Sequence, residues 1–156
     1  MSETPAPLSH TIRVTVRFGH SDLLAIAWHG HYVQWLEDAR QSLGTAIGLG
    51  YEDLIKVKFA APIVDLKLKY KRPAKYGDKL DVRASLIWQP VPKLVHQYEI
   101  RRAGDNELLT TAETTQVLLH PTGELALNFP PFLEAIREKW QAGEINPPQD
   151  PQTSWA

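Results

Sequence analysis

The sequence predicts an α+β domain in which one long helix is wrapped by a curved antiparallel β-sheet. Three observations predict it. Apolar residues alternate over residues 11–18, take helical spacing over residues 29–44, and alternate again through most of residues 64–119. The helical stretch carries an apolar stripe that has to be buried. The strands that follow are joined by short turns, which suits antiparallel neighbours, and a sheet curved round the helix covers the stripe.

The elements follow in order. Ile12, Val14, Val16 and Phe18 share one face of a first strand, opposite Arg13, Thr15 and Arg17. Tyr32, Trp35, Leu36, Ala39 and Leu43 line one side of a helix from about His29 to Gly44, with Glu37, Asp38 and Arg40 on the other. A short helical turn is expected over residues 51–55. Val64, Leu66, Leu68 and Tyr70 then alternate with Asp65, Lys67, Lys69 and Lys71. Leu80, Val82, Ala84, Leu86 and Trp88 form the next strand, and residues 94–102 and 108–119 two more, about the Gly104-Asp105-Asn106 turn. The turn at His120-Pro121-Thr122-Gly123 leads to one more extended piece. Pro130-Pro131 opens a closing helix over residues 132–140, since proline is tolerated in a first turn. Residues 1–10 read as a flexible arm, 11–141 as a single domain, and the proline-rich residues 142–156 as a flexible tail.

Composition narrows the function classes. The absence of cysteine removes disulfides, thiolate metal sites and cysteine nucleophiles, and points to a reducing cytoplasm. A net charge of −1, from 17 basic and 18 acidic residues, gives no global field for nucleic acid or an anionic membrane. The first ten residues have neither a basic nor an apolar secretory region, and no apolar run is long enough to span a bilayer.

The segment from Phe18 to Tyr32 holds the candidate chemistry. Asp22 lies in the loop between the first strand and the long helix, followed by the mostly apolar run Leu23-Leu24-Ala25-Ile26-Ala27-Trp28. Apolar neighbours can desolvate a carboxylate and suit it to act as a base or nucleophile. A turn or helix-capping aspartate is the plainer reading. His29-Gly30-His31 stands where the helix begins, and the first amides of a helix lack internal acceptors. Such amides can hold an oxyanion. Gly30 either admits a substrate close to the backbone or only eases the turn.

Asp22, six intervening residues, then His29, followed by Tyr32, Trp35, Leu36 and Glu37, resembles the signature of the 4-hydroxybenzoyl-CoA thioesterase-like hotdog family. Lys69-Tyr70-Lys71-Arg72-Pro73-Ala74-Lys75-Tyr76-Gly77-Asp78 is similar to that family's strand-turn-strand, and Ala61-Pro62-Ile63-Val64 to the opening of its second strand. The resemblance covers roughly residues 11–120. It implies a hotdog fold and hydrolysis of an acyl-CoA thioester without a cofactor. It also implies a homo-oligomer, a dimer or a tetrameric dimer of dimers. Asp22 takes the place of the catalytic carboxylate and His29 that of the residue whose amide faces the thioester carbonyl; Trp28, Tyr32 and Trp35 shape the acyl pocket or the core beneath it. Gly30 and His31 adjoin the substrate at the helix start. The sequence departs from the pattern at His20, where an acidic residue is common, and at Leu23-Leu24-Ala25, where a glycine is usual. That loop borders the acyl site, so the departure bears on which acyl group is taken.

Other chemistries find less support. His29 and His31 are two apart and fall on different faces of a helix, and the metallopeptidase spacing is absent. No nucleophile elbow or phosphate loop is present. Lys67, Lys69, Lys71, Arg72 and Lys75 read first as the solvated face of a strand. Lys69, Arg72 and Lys93, with Arg101 and Arg102, are candidates for the phosphates of coenzyme A. The alternative function is a hotdog protein that binds acyl-CoA or acyl-carrier protein without turning it over.

Overall fold

The computed structural model describes residues 4–153. Its strands are β1 (Leu8–Thr15), β2 (Ile63–Tyr70), β3 (Lys79–Ile87), β4 (Lys93–Arg102), β5 (Leu108–Val117) and the two-residue β6 (Gln152–Thr153). Its helices are α1 (His29–Ile47), α2 (Tyr51–Val57) and α3 (Pro131–Gln141), with a 3-10 turn at Phe18–His20. The sheet order is β2-β5-β4-β3-β1-β6. Every neighbouring pair is antiparallel except β1 with β6. The outermost parts of the expected arm and tail lie outside the described residues.

The apolar stripe of α1 is the centre of the core. Tyr32, Trp35, Leu36, Ala39, Leu43 and Ile47 are all buried, against Ile12 and Val14 of β1 and Leu80, Val82, Ala84 and Leu86 of β3. The helix runs one turn past the expected end. Gly44 lies inside it, where a side chain would strike the carbonyl of Leu49, and the left-handed residue that ends the helix is Gly48, at φ 86°. Gly44 thus marks a close backbone crossing and not a terminus.

Two strands differ from expectation in position or exposure. β1 starts at Leu8, within the expected arm, because His10 occupies a buried slot of the alternation. Its Nδ1 donates to the Pro148 carbonyl at 2.8 Å, and its Nε2 meets Ser42 Oγ at 2.7 Å. Phe18, expected on the core face, is 80% exposed because the strand gives way to the 3-10 turn before reaching it. The alternation over residues 64–71 gives β2 an apolar face, yet Val64, Leu66 and Tyr70 on that face are exposed. β2 forms one edge of the sheet, paired with β5 alone among the described residues. Beyond α3, Gln149 donates to the carbonyls of Ser9 and Pro147, and β6 runs parallel to β1. The hairpin after His120 forms as expected, with the Ala126 amide donating to Leu118 at 2.8 Å. No described helix is long and apolar enough to cross a membrane.

Candidate active site

The loop between the 3-10 turn and α1 closes on itself. The Asp22 amide donates to the Ile26 carbonyl at 2.9 Å and the Ala25 amide to the Asp22 carbonyl at 3.0 Å. Asp22 Oδ1 accepts from the amides of Leu24 at 2.8 Å and Ile26 at 3.4 Å. Asp22 is therefore a turn aspartate in the structural sense, and both bonds fall on one oxygen, leaving Oδ2 outside the turn. The apolar run does not bury it as the sequence suggested. Leu23 is 105% exposed, Leu24 also faces solvent, and Asp22 itself is exposed. A tight turn points successive side chains outward, so apolar neighbours in sequence are not neighbours in packing. Ala25 holds the left-handed conformation, φ 60°, within the Leu23-Leu24-Ala25 stretch where the resemblance expects a glycine.

The start of α1 is open. Trp28 is the N-cap, without a side-chain hydrogen bond, and the first turn has no acidic residue. No loop or cap carbonyl among the described residues accepts from the His29 or Gly30 amide. The loop is docked beside this end by Ala27 N–H to Ala74 O at 2.8 Å and Trp28 N–H to His20 O at 2.9 Å. The Tyr32 hydroxyl accepts from the Ala74 amide at 2.9 Å, and the Tyr70 hydroxyl donates to the His29 carbonyl at 2.8 Å. Burial of the Tyr32 phenol pushes its pKa up, against the opposing pull of the Ala74 bond, so it stays a neutral hydroxyl.

These contacts bring Asp22, Trp28, His29, Tyr32 and Arg72 to one cleft of about 350 Å³, with Tyr70 opposite. Other expected members stand elsewhere. Gly30 does not leave its backbone free for a substrate, because the Trp28 indole lies where a Cβ would be. His31 turns away to a ring cluster, 4.9 Å from His20, which itself packs 5.5 Å from Trp35. Burial, then the nearby His31 and Arg17, lowers the His20 pKa. Among the described residues no group of three or more such side chains could hold a metal. Lys69 lies on the outer face of the sheet with Arg83, Glu99 and Glu113, and Lys93 near Arg137 and Trp140. Arg101 and Arg102 are engaged by carboxylates, Arg102 by Asp78, Asp105 and Glu107 together. Tyr70 was read only as a strand residue. Its place at the end of a strand just before Arg72-Pro73 was the available signal.

Residues 16–138 match the thioesterase-like superfamily. A Synechocystis protein named as an esterase is 30% identical over 124 residues, spanning 79% of this chain and 75% of its own. A Bacillus subtilis protein named as an acyl-CoA thioesterase is 30% identical over 100 residues, spanning 64% and 72%. The DHNA-CoA thioesterase of Staphylococcus aureus superposes with a TM-score of 0.75 at 25% identity, over 86% of this chain and 92% of that one. The 4-hydroxybenzoyl-CoA thioesterase of Pseudomonas sp. strain CBS-3 shares the fold, with a TM-score of 0.70 at 24% identity over 81% and 98%. The architecture is the hotdog fold, as the sequence led us to expect.

Proposed function

The chain belongs to the thioesterase-like superfamily, and on that premise we propose that it hydrolyses an acyl-CoA thioester in the cleft between Asp22 and the start of α1. The carrying observation is that the exposed carboxylate of Asp22 and the uncapped first residue of α1, His29, line one cleft. The thioester carbonyl oxygen accepts from the His29 amide, where the helix dipole favours developing negative charge. Water attacks the carbonyl carbon while Asp22 takes its proton. The carbon–sulfur bond then breaks, the proton passes to the departing thiolate, and a free acid and coenzyme A result. Attack by Asp22 itself would give an anhydride instead. After single turnover in ¹⁸O-water, label in Asp22 would establish the anhydride route, because water that opens the anhydride at the Asp22 carboxyl carbon leaves its oxygen there.

Arg72, on the cleft and largely solvent-exposed, offers a cation to the phosphates of the coenzyme; its present partner is Glu107 at 3.3 Å. The exposed apolar side chains and unpaired backbone of the β2 edge support pairing with a second copy into one continuous sheet. Sedimentation as a monomer at micromolar concentration would count against that pairing.

The direct test incubates the protein with a panel of acyl-CoAs and traps the released thiol with a dye. Catalytic release from at least one member is expected. Binding without release throughout the panel would favour the non-catalytic alternative.

A further inference from the structure

His20 joins the end of β1 to the start of α1. Its amide donates to the Arg17 carbonyl at 2.9 Å, and its carbonyl accepts from the amide of Trp28, the N-cap of α1, at 2.9 Å. Its ring closes the 3-10 turn from the other side, where the Arg17 amide donates to His20 Nδ1 at 2.9 Å. An amide can only donate, so Nδ1 is the bare nitrogen and the ring is neutral, with its proton on Nε2. The resemblance expects an acidic residue at this position. A carboxylate would accept the same amide hydrogen and keep its charge through neutral pH, whereas imidazole changes charge near that range.

The ring belongs to an aromatic cluster that reaches the cleft. It meets His31 at 4.9 Å and Trp35 at 5.5 Å, and His31 in turn meets Trp28 at 5.5 Å. Trp28 lies over Gly30 and lines the cleft with Asp22 and His29. The charges that bear on His20 all oppose a proton there. Arg17, just beyond β1, is cationic, and His31, on α1, adds a second positive charge whenever it is protonated; Trp35, also on α1, is uncharged. Asp22, the one carboxylate of this loop, turns its Oδ1 to the amides of Leu24 and Ile26 instead. Partial burial, then His31 and Arg17, keeps the His20 pKa below its ordinary 6.5.

We propose that neutral His20 is a positioning residue: it holds the strand-to-helix loop and Trp28 against the start of α1, and its protonation releases them and lowers turnover. A proton on Nδ1 turns the acceptor into a donor that faces the Arg17 N–H, so that bond is lost as pH falls through the His20 pKa. The new charge then stands against Arg17 and His31 with no carboxylate bonded to it. The effect on rate rests on the thioesterase reading; the release of the loop does not.

The experiment follows the Arg17 amide, the Trp28 indole N–H and the His20 ring by NMR between pH 7 and pH 5. Wild type is compared with His20→Asn, whose side-chain oxygen can accept from the Arg17 amide without titrating. In wild type the Arg17 and Trp28 resonances should shift with the midpoint of the His20 ring, and that transition should be missing from both in His20→Asn. Over the same range kcat/KM of wild type should fall about threefold more than that of His20→Asn. Any titration of Asp22 falls equally on both proteins and cancels in the comparison. Resonances that ignore the His20 midpoint would overturn the release of the loop, and equal falls in kcat/KM would overturn the positioning role. Should His20→Asn not fold, the wild-type resonances decide alone. If no thioester is turned over, the thioesterase reading fails separately, and the resonances still uphold or refute the release.

Discussion

The phenolic hydroxyl of Tyr70 donates to the carbonyl oxygen of His29 across 2.8 Å, so the last residue of β2 holds the first peptide group of α1. Anchoring that carbonyl steadies the first residue of α1, whose own amide opens on the Asp22 cleft. Tyr70→Phe keeps the ring contact with Tyr32 at 5.0 Å and removes only the bond. A neutral hydrogen bond contributes about 1 kcal/mol to stability, so the melting temperature should fall by roughly 2–4 °C, and kcat/KM should fall by up to about fivefold as the helix start loosens. Steady-state kinetics beside a thermal melt would check both halves.

His29 contributes through its backbone on this reading. His29→Ala should retain substantial activity, and His29→Pro should lose about 10²–10³ in rate, because proline deletes the amide yet fits the first turn of a helix. Circular dichroism must first establish that the proline variant is folded. Equal, severe losses in both variants would move the role to the imidazole.

Ala25 occupies the left-handed region at φ 60°, a conformation that favours glycine. Ala25→Gly should stabilise the protein by about 0.5–1 kcal/mol, after allowing for the greater freedom of glycine in the unfolded chain. The urea midpoint is the measurement, and a fall in it would mean the Ala25 methyl makes contacts worth more than the strain.

The fold was legible because its main signals are local and periodic. The stripe from Tyr32 to Leu43 and the alternation in β3, β4 and β5 each state which side faces the core. Edges and loops were not, since their surroundings come from elsewhere in the chain. The sequence could not say that β2 would lack a covering layer, nor that Leu23 and Leu24 would turn outward from Asp22. Nor could it place Trp28 over Gly30. The buried polar groups do leave a trace in the sequence: His96 and Gln116 interrupt the buried series Leu94, Tyr98, Ile100 and Thr114, Leu118. A polar residue in an apolar slot is a question about its partner.

His96 should make the protein acid-sensitive. Its folded pKa, about 3, lies below the ordinary 6.5 because of burial, then Arg40. Between those values the unfolded chain binds the extra proton, so stability is present above pH 6.5 and is lost as pH falls below it. Each pH unit within that window costs up to about 1.4 kcal/mol. Asp38, whose carboxyl pKa is raised by burial and then by Glu37, acts in the opposite sense. Comparing wild type with His96→Leu isolates the histidine. The variant should lose less stability between pH 7 and pH 5, read from urea midpoints, and identical losses would contradict the assignment.

Asp22→Asn changes the carboxylate to an amide of nearly the same volume, and the amide oxygen can still accept from the Leu24 and Ile26 amides, so the turn should persist. Only the charge and the basicity are removed. The rate of thiol release from the best acyl-CoA of the panel should fall by at least about 10²-fold, with unchanged circular dichroism and melting temperature. Turnover near that of wild type in the folded Asp22→Asn protein would contradict the placement of the chemistry at Asp22.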